Sequence, residues 1–183
     1  RSPSRGLGDV YKRQTQFLLS YLKIEHDMQK RKMIALETSL KRLESYIPNL
    51  EHRNPKISKA NVAWQLDHSL KVFNGVASVL QESDPNRYGD NFTFMGKILL
   101  QLNCIPRGKA RVPKYLASPE IILKEALLEQ LALAKAHILA IEKLDKNAFF
   151  KHPLFGNVNK TRALRFLMVH THHHLKIVRA ILK

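Results

Sequence analysis

One cysteine, one tryptophan, seven glycines and eight prolines in 183 residues leave several classes of protein without their raw material. The single thiol, Cys104, excludes an intramolecular disulfide and a zinc cage built from cysteines. Acids are scarce as well, with 15 Asp and Glu against 31 Lys and Arg and a formal charge of +16. Lys, Glu or His interrupts every apolar stretch, so no run approaches the roughly 20 residues of a membrane-spanning helix. No secretory signal pattern opens the sequence, and with one thiol a reducing cytoplasm is the expected location, with no membrane partner.

The excess of positive charge attracts anions of many kinds and does not choose among them. Aromatic residues, only 8% of the chain, do not interleave with the lysines and arginines as base-stacking platforms would. Nucleic acid is therefore disfavoured as a partner, and a solvated basic surface is the plain reading of the charge.

The length, with 44% hydrophobic residues, suits one domain with a substantial core. Residues Ser4 to Gln14, SRGLGDVYKRQ, look like the in-frame translation of a common transposase sequencing adapter, so 1–14 are set aside from fold reasoning. Residues 15–32 form an N-terminal extension in which Met28, like Met33 after it, is a plausible native start. The domain itself is assigned to 33–183.

Within it, apolar residues recur at helical spacing, and no segment shows the strict alternation of a half-buried strand. A first helix is expected from about Gln16 to Tyr46, with a stripe of Ile34, Leu36, Leu40 and Leu43 before Pro48 stops it. Ser58 is read as the cap of a second, which runs to about Leu80 with Trp64, His68, Val72, Val76 and Val79 on one face. Phe94 to Leu102 makes a short extra helix, and the loop after it carries Arg107, Lys109, Arg111 and Lys114. Ser118-Pro119-Glu120 opens a third long helix to about Leu144, striped by Leu127, Leu131, Ala134, Ile138 and Ile141. Turns are expected between Lys146 and Asn159, and a last helix from there to Leu182. The fold class is all-α, with antiparallel long helices.

The last helix substitutes two histidines into its apolar stripe of Ala163, Phe166, Leu167, His170, His174, Ile177, Val178 and Ile181. Residues four apart stand one above the other, so His170 and His174 can address one metal ion. His68 interrupts the second helix's stripe in the same way. An unpartnered buried imidazole costs about 1–3 kcal/mol, and three on facing stripes call for a shared explanation. A divalent metal held by neutral imidazoles is one, with zinc or nickel foremost and iron also suitable. A core network of satisfied histidines and an exposed chelating cluster are the others.

The segments Trp64-Gln65-Leu66-Asp67-His68-Ser69-Leu70 and His170-Thr171-His172-His173-His174-Leu175 resemble the DinB-like metalloprotein superfamily. More narrowly they resemble its uncharacterised branch, domain of unknown function 1569. The basic stretch IPRGKARVPK and the phrase FKHPLFGNVNKTRALRFL fit that branch too, so the likeness runs from about Met33 to Leu182. It implies an antiparallel four-helix bundle with a metal on His68, His170 and His174. It also implies, among some members, thiol S-transfer with a low-molecular-weight thiol as cosubstrate. Where many members carry Arg-Gly-Gln after the second ligand of the pair, this chain has Leu175, Lys176 and Ile177, which removes support for a cosubstrate contact there.

Two functional classes follow. One is a metal-dependent enzyme, a hydrolase or thiol S-transferase, in which the metal lowers the pKa of a thiol or water and the basic loop attracts a small anionic substrate. The other is a non-catalytic binding protein whose metal stabilises the helices and whose basic surface meets an acidic partner. An apolar face on the first helix also allows a homodimer. No general base is assigned to Asp67, Glu129 or Glu142, and Cys104 reads as a small buried hydrophobe. His26, His52, His137 and His152 read as ordinary polar or partly buried residues.

Overall fold

The computed structural model of the chain describes residues 4–103, 105 and 121–183, with side chains from Val10 onward. It is mostly helical: α1 (Ser4–Ser45), α2 (Val62–Glu82), α3 (Phe94–Gln101), α4 (Lys124–Lys143) and α5 (Lys160–Ile181). A small antiparallel pair, β1 (Phe149–His152) and β2 (Gly156–Asn159), lies between α4 and α5. Cys104, the basic loop's Arg107, Lys109, Arg111 and Lys114, and Ser118-Pro119-Glu120 lie outside the described residues, but α4 does not run on from Ser118 as the sequence reading expects: it starts at Lys124, after Leu123 in an extended conformation.

The core begins at Met33. From there α1 buries Leu36, Leu40 and Leu43 at steps of three and four, with Ile47 in the short 3-10 turn beyond. Ile34, expected on this stripe, is 53% exposed because it sits about 100° round the helix from Met33, which takes the inward position. α4 buries the five residues its periodicity predicts, Leu127, Leu131, Ala134, Ile138 and Ile141. α1 packs on α4 and α5, and α2 packs on the same two helices, so α5 has α1 on one flank and α2 on the other.

Helix ends follow local hydrogen-bond chemistry, with one correction to the sequence reading. α2 is capped by Asn61, whose side chain accepts the Trp64 N–H at 3.0 Å, rather than by Ser58. The Ser58 hydroxyl is engaged instead by the Ala60 N–H at 3.1 Å and the Gln65 amide at 3.2 Å. Such a cap contributes about 1 kcal/mol. At the far end of that helix Val79 is 46% exposed, outside the stripe assigned to it. Asn159 caps α5 in the same way through the Arg162 N–H at 3.1 Å.

The hairpin is a second correction, because this stretch reads only as turns. Its four-residue strands are too short to show alternation, and only one facing pair, Phe150 and Val158, is buried. Gly156 closes the three-residue connection at φ +75°, the left-handed conformation such loops need. A Cβ there would also stand 2.5 Å from the Asn91 carbonyl oxygen. The hairpin packs on α2 and α5 and so brings His152 and Phe155 beside the middle of the last helix.

Candidate metal centre

α2 and α5 cross with their polar substitutions facing one another. His68 from α2 meets His170 and His174 from α5, and one ring nitrogen from each lies within 4.8 Å of the others. Ring centroids are 5.4 Å apart for His68 and His170, 4.9 Å for His68 and His174, and 4.6 Å for the α5 pair. His68 and His174 are buried and His170 partly so. Among the described residues this is the group of three His, Cys, Asp or Glu side chains placed to share an ion, and no fourth such residue joins it.

The walls come from one helical turn earlier on each helix. Trp64 stacks on His68, with centroids 4.8 Å apart and ring planes 9° from parallel. Phe166 stacks on His170 at 5.7 Å and 30°. These rings exclude water from the imidazoles, and burial is the leading reason both α5 histidines resist protonation. The His170 pKa is pushed down to about 3, by burial and then by the neighbouring His68, His173 and His152. That of His174 is driven well below 6.5, by burial first and then by His170, His68 and His173. Both are neutral at pH 7, the form whose nitrogen lone pair binds a metal.

Gln65 completes the arrangement. Its Oε1 accepts the Nδ1–H of His174 at 2.7 Å, and its amide donates to the Ser58 hydroxyl at 3.2 Å. That bond fixes the His174 tautomer and leaves Nε2 as the donor toward the cluster, as outer hydrogen bonds do for metal-ligating histidines. Gln65 lies in the α2 segment that carries the family resemblance, and the sequence alone assigns it no role. The available signal was its position three residues before His68, which puts a buried amide on the histidine's face of the helix. The Nδ1 of His170 is buried with no hydrogen-bond partner among the described residues. An ion fits three converging imidazoles of which one is pre-oriented and another holds an unsatisfied buried nitrogen.

The other candidates are placed elsewhere. Asp67 turns from the cluster to accept a hydrogen bond from Gln130 on α4 at 2.8 Å and to pair with Lys71 at 2.9 Å, tying α2 to α4. Glu129 and Glu142 are exposed. His137 bonds Gln81 at 2.7 Å, and His26 and His52 are exposed. His152 is more than an ordinary polar residue: it stacks on Phe155 at 4.1 Å and sits 5.4 Å from Phe166, and burial lowers its pKa to about 4. His172 faces away, toward α1, while the His173 ring stands against His174 at 5.1 Å.

The fold and the site together define a mostly helical protein with a buried three-histidine cluster able to hold a metal ion. The chain matches no family model, no curated protein and no solved structure. Among the described residues no helix is long and apolar enough to cross a membrane.

Proposed function

We propose that the chain is a DinB-like metalloprotein, an antiparallel four-helix bundle that binds one divalent metal through His68, His170 and His174. The observation carrying this reading is the convergence of three histidines from two helices, with His174 oriented by Gln65 and one nitrogen of each ring within 4.8 Å of the others. A satisfied histidine network accounts for it less well, since the buried Nδ1 of His170 has no partner among the described residues. Zinc and nickel suit an all-imidazole donor set, with iron(II) next.

Three protein ligands, with no fourth among the described residues, favour a catalytic over a purely structural site. When bound, the metal supplies the Lewis acidity that lowers the pKa of a thiol or a water molecule near neutral pH. The protein's part is to hold His170 and His174 neutral by burial, to bring His68 against them, to fix His174 through Gln65, and to exclude bulk solvent with Trp64 and Phe166. Metal-dependent hydrolysis or thiol S-transfer is the reaction class this supports, with a low-molecular-weight thiol or another small anion as substrate.

The test is elemental analysis of the purified chain beside His170→Ala, both reloaded with zinc or nickel and desalted identically. About one metal per chain in the parent and almost none in the variant supports the site. A folded parent that retains no metal sinks the proposal.

A further inference from the structure

The opposite face of α5 carries a different chemistry. α5 contains Lys160, Arg162, Arg165, Lys176 and Arg179 and no acidic residue. Lys160 is spent on the end of α4, where its ammonium donates to the carbonyls of Glu142 and Leu144. Arg162 is neutralised by Asp90 through two hydrogen bonds, of 2.6 and 3.0 Å. The remaining three have no acidic partner among the described residues. The Nε of Arg165 donates to the Leu100 carbonyl at 3.2 Å, and that of Arg179 to Leu175 of its own helix at 3.3 Å.

At 100° per residue, Arg165, His172, Lys176 and Arg179 fall within about 60° of one another, roughly 200° round from His170. They line the side where α5 meets α1. A groove of about 340 Å³ lies there, bordered by Ser39, Asn103, Arg165, Met168, His172 and Lys176. α1 adds positive charge rather than a counter-ion. Lys32 is part-buried and close enough to Arg165 that the two repel. Among the described residues the ion pairs are Asp67 with Lys71, Glu44 with Lys135 and Asp90 with Arg162, none of them in this groove.

We propose that this groove between α1 and α5 is a binding site for a small anion of the phosphate class, separate from the histidine cluster. Cations gathered in a concave surface without acids repel one another, and an anion seated among them relieves that repulsion. Arg165 is the principal ligand: its Nε is held by Leu100, leaving the terminal guanidinium nitrogens to take two phosphate oxygens in the bidentate manner natural to arginine. Lys176 supplies a point charge one side of it and Lys32 another. Ser39 is a lesser contributor because its hydroxyl already donates to Ala35 at 2.8 Å. Among the described residues no aromatic ring other than His172 borders the groove, which offers no stacking surface of the kind a single-stranded nucleic-acid track uses and suits a small molecule.

The experiment is calorimetric titration of the full chain with inorganic pyrophosphate at low ionic strength, with Arg165→Gln, Lys176→Gln and the distant Lys124→Gln as variants. Metal content and melting temperature report that each variant is folded with its histidine cluster intact. The expected result is binding by the parent that weakens about tenfold or more in Arg165→Gln and in Lys176→Gln, is unchanged in Lys124→Gln, and is lost as salt rises. Absence of pyrophosphate binding, or equal affinity in all variants, overturns the proposal. So does a single-stranded oligonucleotide that binds where pyrophosphate does not, with the same sensitivity to Arg165 and Lys176; that result would assign the face to nucleic acid.

Discussion

The two faces of α5 treat basic side chains in opposite ways. Toward α2, His170 and His174 are walled by Phe166, Trp64 and His68, and burial keeps them neutral. Toward α1, Arg165, Lys176 and Arg179 lie near solvent with no acid paired to them among the described residues. One helix thus carries a nitrogen-donor site on one side and a cationic surface on the other, offset by half a turn. The difference shows that the strongly basic composition is not one property with one purpose: the inward nitrogens offer lone pairs, and the outward ones offer positive charge.

The sharpest way to break this contrast is to exchange the faces in the metal assay. His174→Ala is expected to abolish metal retention, whereas His172→Ala, two residues away and turned toward α1, keeps about one metal per chain. Comparable losses in both would point to a surface chelate formed by the histidine-rich run.

A smaller effect is expected one layer out. Gln65→Leu leaves all three ligands but frees the His174 ring, so competition with a chelator should show metal affinity reduced about 10- to 100-fold at unchanged stoichiometry. Parental affinity in that variant would contradict the orienting role of Gln65.

The hairpin's contribution can be read from pH. His152 has its pKa lowered from 6.5 to about 4 in the folded chain by burial. Between those values the unfolded chain binds more protons than the folded one, so stability falls as pH falls through that window. The slope from this residue is at most about 1.4 kcal/mol per pH unit, and above 6.5 the effect disappears. His152→Phe keeps an aromatic ring against Phe155 and removes the proton, so the decline in melting temperature between pH 6.5 and 4.5 should be shallower than in the parent. An equal decline would show that His152 does not titrate as its burial implies.

The smallest effect concerns the cation that is neutralised. Asp90 is held at about 2 chiefly by its hydrogen bonds from Arg162, but its carboxylate is 55% exposed. Asp90→Asn should therefore cost only about 0.5–1 kcal/mol in urea unfolding, less at high salt. A loss several times larger would mean that the pair organises the start of α5 and the Phe92 ring beneath Arg162.

Much of this was legible in the residues because long helices write their burial at regular intervals. Leu127, Leu131, Ala134, Ile138 and Ile141 announce α4 and its inward face, and His68, His170 and His174 are visible as interruptions of apolar stripes. The hairpin was not legible, since four-residue strands with one buried pair leave no period and depend on Gly156 and the Asn91 contact, which is remote in sequence. The cap of α2 was misplaced by three residues because Ser58 and Asn61 are both good caps and tertiary contacts decide between them. Gln65 was hidden for a related reason: a buried amide declares its role only when His174, 109 residues later, is seen against it. The α1 groove likewise depends on two helices distant in sequence, so composition reveals the charge but not its gathering.

The central claim is that three imidazoles from two helices hold one metal ion, and X-ray absorption at the metal edge of the loaded chain tests it most directly. The account predicts three imidazole nitrogens at roughly 2.0–2.1 Å, falling to two when His68 is replaced by alanine. A spectrum with one imidazole or none, unchanged by that substitution, would contradict it.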